Sequence, residues 1–114
     1  MSTLERPALQ TCIDLCQKCH NLCLASAMNR CLEAGGKNVE PGHFRLLVDC
    51  AAACQATADF MLRQSEFHEQ SCLDCATLCD YCAHSCRQVG GMSDVADMCR
   101  ECADSCHQMA LATA

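Results

Sequence analysis

Residues 72–86 read CLDCATLCDYCAHSC. The cysteines at 72, 75, 79, 82 and 86 follow one another at steps of three, four, three and four. On an α-helix those steps hold every side chain on one narrow stripe. The same rhythm recurs through the chain. Cys12, Cys16, Cys19 and Cys23 form one run, Cys50 and Cys54 a second, and Cys99, Cys102 and Cys106 a third. A helical bundle ordinarily fills such a stripe with leucine or isoleucine. Here it carries thiols, so helices packed stripe to stripe enclose a tube lined with sulfur.

The stretches between the runs set the helix limits. The spacing predicts a first helix from about Pro7, a favoured first-turn residue, to about Ala34, where Gly35 and Gly36 end it. A loop with Pro41 and Gly42 follows, then a second helix from about His43 to Gln64. A third covers His68 to Val89 and stops at Gly90 and Gly91. Ser93 is a suitable N-cap for a fourth, which runs to about Ala110. Four helices with short links predict an all-α, antiparallel up-down-up-down bundle with a cysteine-lined core. At 114 residues the chain is expected to be a single domain, 1–114.

A heptad register sharpens the picture. With the cysteines at positions a and d, Leu47, Thr57, Met61, His68, Val89, Val95 and Met109 join them. Asp14, Asn21, Asp97 and Asp104 fall at the outermost position f. Leu15, Leu22, Leu46, Phe60, Leu78 and Met98 fall at g and give each helix an apolar shoulder. The shoulders can seal neighbouring helices or bury against another protomer, and they predict that the metal-free chain folds. Cys31 is the exception, falling at b.

Composition narrows the function. Fifteen of the 114 residues are cysteine, an odd number that cannot pair fully within the chain. The net charge is −6, and the eight lysines and arginines do not cluster, which argues against nucleic acid as a partner. No run is apolar enough to span a membrane. The opening MSTLERP has no basic segment followed by an apolar stretch, so no signal peptide is read and a cytoplasmic location is expected. Thiols stay reduced there, and many of them point to metal or redox chemistry rather than to structural disulfides. No arrangement suggests a catalytic site, and the expected role is not enzymatic.

Cysteines at i and i+4 lie about 5–6 Å apart at Cβ and can hold one ion between them. Such pairs are Cys12/Cys16, Cys19/Cys23, Cys50/Cys54, Cys75/Cys79, Cys82/Cys86 and Cys102/Cys106. Two-coordinate sulfur suits Cu(I), a soft ion. Zinc wants closed tetrahedra of four ligands, and a continuous stripe is a poor way to build them. Charge agrees. A Cu(I) ion that displaces one thiol proton leaves the core neutral. Zinc in an all-thiolate site leaves about two negative charges in a low-dielectric interior. A zinc or general metal buffer remains the first alternative. An iron–sulfur electron-transfer protein is the second, although the ferredoxin run needs a following proline that is missing here.

The antiparallel order collects Cys12, Met61, His68, Cys72 and Met109 at one end of the bundle. It collects Cys31, His43, Leu47, Val89 and Met92 at the other. Thioether and imidazole bind Cu(I) more weakly than thiolate does, so Met61 and His68 are expected to form an entrance. His20, His84 and His107 fall at e, f and b and are expected to face outward or toward a flank.

The runs at Cys12–Cys23 and Cys72–Cys86 resemble those of the bacterial copper storage proteins, and the resemblance covers nearly the whole chain. It implies a cytosolic homotetramer of four-helix bundles that stores many Cu(I) ions for later supply to a copper chaperone or a cuproenzyme. The ligands it implies are Cys12, Cys16, Cys19, Cys23, Cys50, Cys54, Cys72, Cys75, Cys79, Cys82, Cys86, Cys99, Cys102 and Cys106, with Cys31 added.

Overall fold

In the computed structural model, which describes residues 5–113, four long helices carry the chain. They are α1 (Glu5–Ala25), α2 (Pro41–Leu62), α3 (His68–Val89) and α4 (Ser93–Thr113). Each packs on its neighbour in chain order, and α4 closes the ring against α1. This is the antiparallel four-helix bundle that the spacing predicts. Its principal extents are 48 × 20 × 19 Å, a cross-section two helices wide. No strand occurs among the described residues, and no helix among them is long and apolar enough to cross a membrane. The signal-peptide reading rests partly on residues 1–4, which lie outside the described residues.

Several boundaries differ from expectation, beginning with α1, which starts at Glu5, two residues before Pro7. Helix α2 begins at Pro41, two residues early, because proline's fixed φ fits a first helical turn. It ends at Leu62, short of Gln64. There the Ser65 amide donates to the Phe60 carbonyl at 2.9 Å and the Gln64 amide to Met61 at 3.0 Å. Those two bonds close a Schellman motif. Gln64 holds the left-handed position usually given to glycine, with φ 53°. The absence of glycine there is why the link between α2 and α3 is weakly marked in the sequence. Helix α4 runs on past Ala110 to Thr113.

The first helix departs most. Its α-geometry stops at Ala25, a π-helical turn covers Ser26–Cys31, and a last α-turn spans Leu32–Ala34. Continued α-geometry from Cys23 would bring Arg30 to the stripe and leave Cys31 beside it. The wider π-turn absorbs one extra residue. Cys31 therefore rotates inward and is fully buried. Arg30 swings out and grips Asp94 at the start of α4 with two bonds, Nη1–Oδ1 at 2.9 Å and Nη2–Oδ2 at 2.7 Å. The expected b position of Cys31 is thus corrected by a local change of helix type. Beyond it Gly35, at φ 66°, takes the backbone into a region closed to other residues.

Candidate metal centre

All fifteen cysteines are free and completely buried. Twelve of them form one connected column, and Cys31, Cys82 and Cys86 lie outside its groups. The closest approach is Cys50 Sγ to Cys79 Sγ at 3.5 Å. Cys16–Cys106 and Cys23–Cys99 follow at 3.6 Å. Cys54 lies 3.7 Å from both Cys75 and Cys79 and 4.0 Å from Cys102. The i, i+4 pairs Cys19/Cys23 and Cys75/Cys79 meet at 3.9 Å, as helical spacing requires.

Within the column five groups of sulfurs lie within 4.8 Å of one another. Cys12, Cys72 and Cys106 form a trio at one end. Four quartets follow: Cys16/Cys75/Cys102/Cys106, Cys54/Cys75/Cys79/Cys102, Cys19/Cys50/Cys54/Cys79 and Cys19/Cys23/Cys50/Cys99. Each group shares at least one thiol with the next. At most three can be filled as separate sites: the trio, the Cys54/Cys75/Cys79/Cys102 quartet and the Cys19/Cys23/Cys50/Cys99 quartet. That choice leaves out Cys16, Cys31, Cys82 and Cys86. Only shared, bridging sulfurs put the whole column to use.

The column's polar contacts are mainly S–H···S bonds. No lysine or arginine is buried among the described residues, and the buried polar side chains are Ser26, His43 and Thr57. Thiols that receive bonds from several neighbours ionise first. Hydrogen bonds from Cys106, then Cys16 and Cys72, hold Cys12 well below the usual thiol range. Cys106 in return is driven far above it by its bonds with Cys102, Cys12, Cys16 and Cys72. Cys102 is lowered to about 7, first by Cys106 and then by Cys16. At Cys72 the downward pull of Cys106 is outweighed by Cys12 and burial, which leave it at about 12.

Why the sulfurs come so close was not read from the sequence. Buried alanines directly follow stripe residues at seven-residue spacing: Ala51 and Ala58, Ala76 and Ala83, and Ala96, Ala103 and Ala110. The flank of α3 that carries Ala76 and Ala83 also carries Asp80 and Arg87. These reach Arg100 at 2.8 Å and Asp97 at 3.0 Å on α4. The alanines of α3 therefore face those of α4. Small residues on a seam let helix axes approach. The larger shoulder residues Leu15, Leu22, Leu46, Phe60, Leu78 and Met98 are half-buried on the other flank. The seven-residue alanine repeat was the available signal.

At the end formed by the start of α1, Met61 Sδ lies 3.9 Å from Cys72 Sγ, and Met109 is buried. His68 Nδ1 donates to the Ser65 carbonyl at 2.7 Å, which leaves Nε2 buried without a partner. The structure brings Met61, His68 and Met109 to the same end as Cys12 and Cys72. Three of the other histidines stand apart from the column. His20 Nδ1 bonds the Ala51 carbonyl at 2.7 Å, His107 Nε2 lies 3.4 Å from Asp80, and His84 is exposed.

A column of overlapping soft-ligand sites is chemistry for many soft cations held together. Comparison with known proteins decides the lineage. The family profile described as "Csp: Copper storage protein" matches residues 5–111. The chain belongs to the copper storage protein family. Among solved structures, this copper storage family member is similar to the Nmul_A1745 protein of Nitrosospira multiformis. The identity is 48% and the TM-score 0.92, over 94% of this chain and 98% of that one. It is also similar to the Cu(I)-bound copper storage protein BsCsp3, with 28% identity and TM-score 0.83 over 90% and 98% of the two chains. The "Uncharacterized cysteine-rich protein YhjQ" of Bacillus subtilis (strain 168) is 31% identical over 86 residues, 75% of each chain.

Proposed function

We propose that this protein stores Cu(I) in bulk, with the fifteen core cysteines as thiolate ligands and no catalytic role. The observation that carries this reading is the overlap of the thiol groups. A chain of shared sulfurs admits bridging two- and three-coordinate ions along its length, which suits soft monovalent copper. Closed tetrahedra for zinc fill at most two separate quartets and strand seven of the fifteen thiols. Each Cu(I) that replaces one proton adds no net charge, and no buried lysine or arginine among the described residues stands ready to offset anything else.

In this reading residues 1–114 act as one storage unit, a homotetramer in the cytoplasm, where thiols remain reduced. Met61 and His68 receive copper at one end, and a copper chaperone or a cuproenzyme takes it up later. Storage keeps free copper low and so contributes to metal homeostasis.

The test is anaerobic titration of the reduced protein with Cu(I) against a chromophoric chelator. About one ion per cysteine, roughly fifteen in all, is the expected result. Saturation at one to four ions refutes shared sites and moves the reading to a zinc buffer or an iron–sulfur protein.

A further inference from the structure

The thiol groups stop short of the end where α1 finishes and α2 begins. Cys31, Cys82 and Cys86 are as buried as the other cysteines, yet none joins a trio or quartet within 4.8 Å. At this end the α2 stripe carries His43, one heptad before Cys50. His43 is only 5% exposed. Its Nδ1 lies 2.7 Å from Ser85 Oγ, on the flank where α2 meets α3. We assign the ring proton to Nδ1, with Ser85 Oγ accepting it. Nε2 then carries a bare lone pair, buried and without a hydrogen-bond partner. The two ring nitrogens point widely apart. With Nδ1 held at the flank by Ser85, Nε2 is left on the buried side of the ring, at the level of Cys86, which follows Ser85, and one turn from Cys82. Cys82 and Cys86 are an i, i+4 pair on the α3 stripe, and Cys31 is buried at the same end of the bundle.

A buried polar atom left unbonded costs about 1–3 kcal/mol. An imidazole held through one nitrogen, with the other free and inward, is the arrangement that metal-ligating histidines adopt. Charge fits as well. A neutral imidazole opposite one thiolate makes a monovalent ion's site neutral overall. Access is present: a groove of about 450 Å³, lined by Lys37, Glu40, His43, His84 and Ser85, opens on this ring from solvent.

We propose that His43 Nε2 and a thiolate of the Cys82/Cys86 pair, with Cys31 at the same end, form a mixed nitrogen–sulfur site for Cu(I) that ends the column and gives it a second opening. The proposal rests on the copper-storage reading. It makes the tube accessible from both ends, through an imidazole with a buried, unbonded Nε2 in each case, and it gives the π-turn a purpose, since that turn delivers Cys31 to this end. Ser85 is a positioning residue: it aims the ring without touching the ion.

The experiment is nitrogen NMR of histidine-labelled, reduced protein during stepwise anaerobic loading with Cu(I), with His43→Gln used to assign the signal. The His43 Nε2 resonance is expected to shift on loading. H43Q is expected to hold one ion fewer against a fixed concentration of chelator, with unchanged helix content by circular dichroism. S85A should keep the ion but weaken its retention severalfold. Loading to about one ion per cysteine with the His43 Nε2 signal unmoved overturns the site and leaves storage intact. Uptake that stops at one to four ions overturns storage itself and the site with it. Should H43Q fold poorly, the wild-type resonance decides alone.

Discussion

Replacing Cys54 by serine separates a shared column from a set of discrete sites by arithmetic. Cys54 belongs to two of the five sulfur groups and touches Cys75, Cys79 and Cys102. If sulfurs are shared at about one ion each, C54S loses about one ion in fifteen, roughly 7% of capacity, because neighbouring thiolates bridge the gap. If the ions sit in separate sites, three groups at most are filled. The one containing Cys54 then fails, and the loss is about one-third. The metal-free protein should also weaken. A hydroxyl replaces a well-packed sulfur in a fully buried position, at a cost of about 1–2 kcal/mol. For a chain of this length that lowers Tm by about 4–8 °C. Capacity is read by chelator competition with total copper from atomic absorption, and stability by thermal circular dichroism. A one-third drop in capacity in a folded C54S protein refutes the shared column, whatever the wild-type number.

Other perturbations test separate parts of the structure. Gln64→Gly relieves a left-handed backbone at the end of α2 and should stabilise the protein by about 0.5–1 kcal/mol, seen as a raised denaturant midpoint; a lowered midpoint contradicts the assigned turn. The Arg30 guanidinium holds the Asp94 carboxyl down to about 2 from 3.8. Its contribution is complete above pH 3.8 and disappears as pH falls through about 2. The pair is roughly half exposed, so Asp94→Asn should cost no more than about 1 kcal/mol near neutrality. The gap between variant and wild-type stabilities should close below about pH 3. Ala83→Leu overfills the seam between α3 and α4, at a cost of about 1–3 kcal/mol, and should reduce copper capacity although no thiol is removed. Cu(I) loading should release about one proton per ion in a pH-stat, with retention weakening as pH falls because protons compete for the same sulfurs.

The fold was legible because cysteine is an unusual residue for a helical stripe, and its alternating steps of three and four fit no other regular geometry. Glycine pairs at 35–36 and 90–91 marked two of the three links plainly. The third was obscured because Gln64 occupies a left-handed position without the residue that normally announces one. The π-turn was not legible at all. Its residues, Ser26 to Cys31, have no preference that separates them from an ordinary helix, and only the burial of Cys31 shows that the register has shifted by one. Within the metal centre the sulfur stripe could be read directly from spacing. Which sulfurs meet could not, since that depends on how the four helices are staggered. His43 was placed at the correct end, but its free nitrogen becomes visible only once Ser85 is seen to hold the other one.

The alanine seam bears on engineering. Cysteines grafted onto a leucine-seamed bundle at the same heptad positions would sit on helices held further apart, and each would serve as an isolated thiol. The cavity's calibre is fixed by the smallest side chain in its wall. A designer who wants a protein container for soft metals should therefore choose the methyl groups first and the sulfurs second.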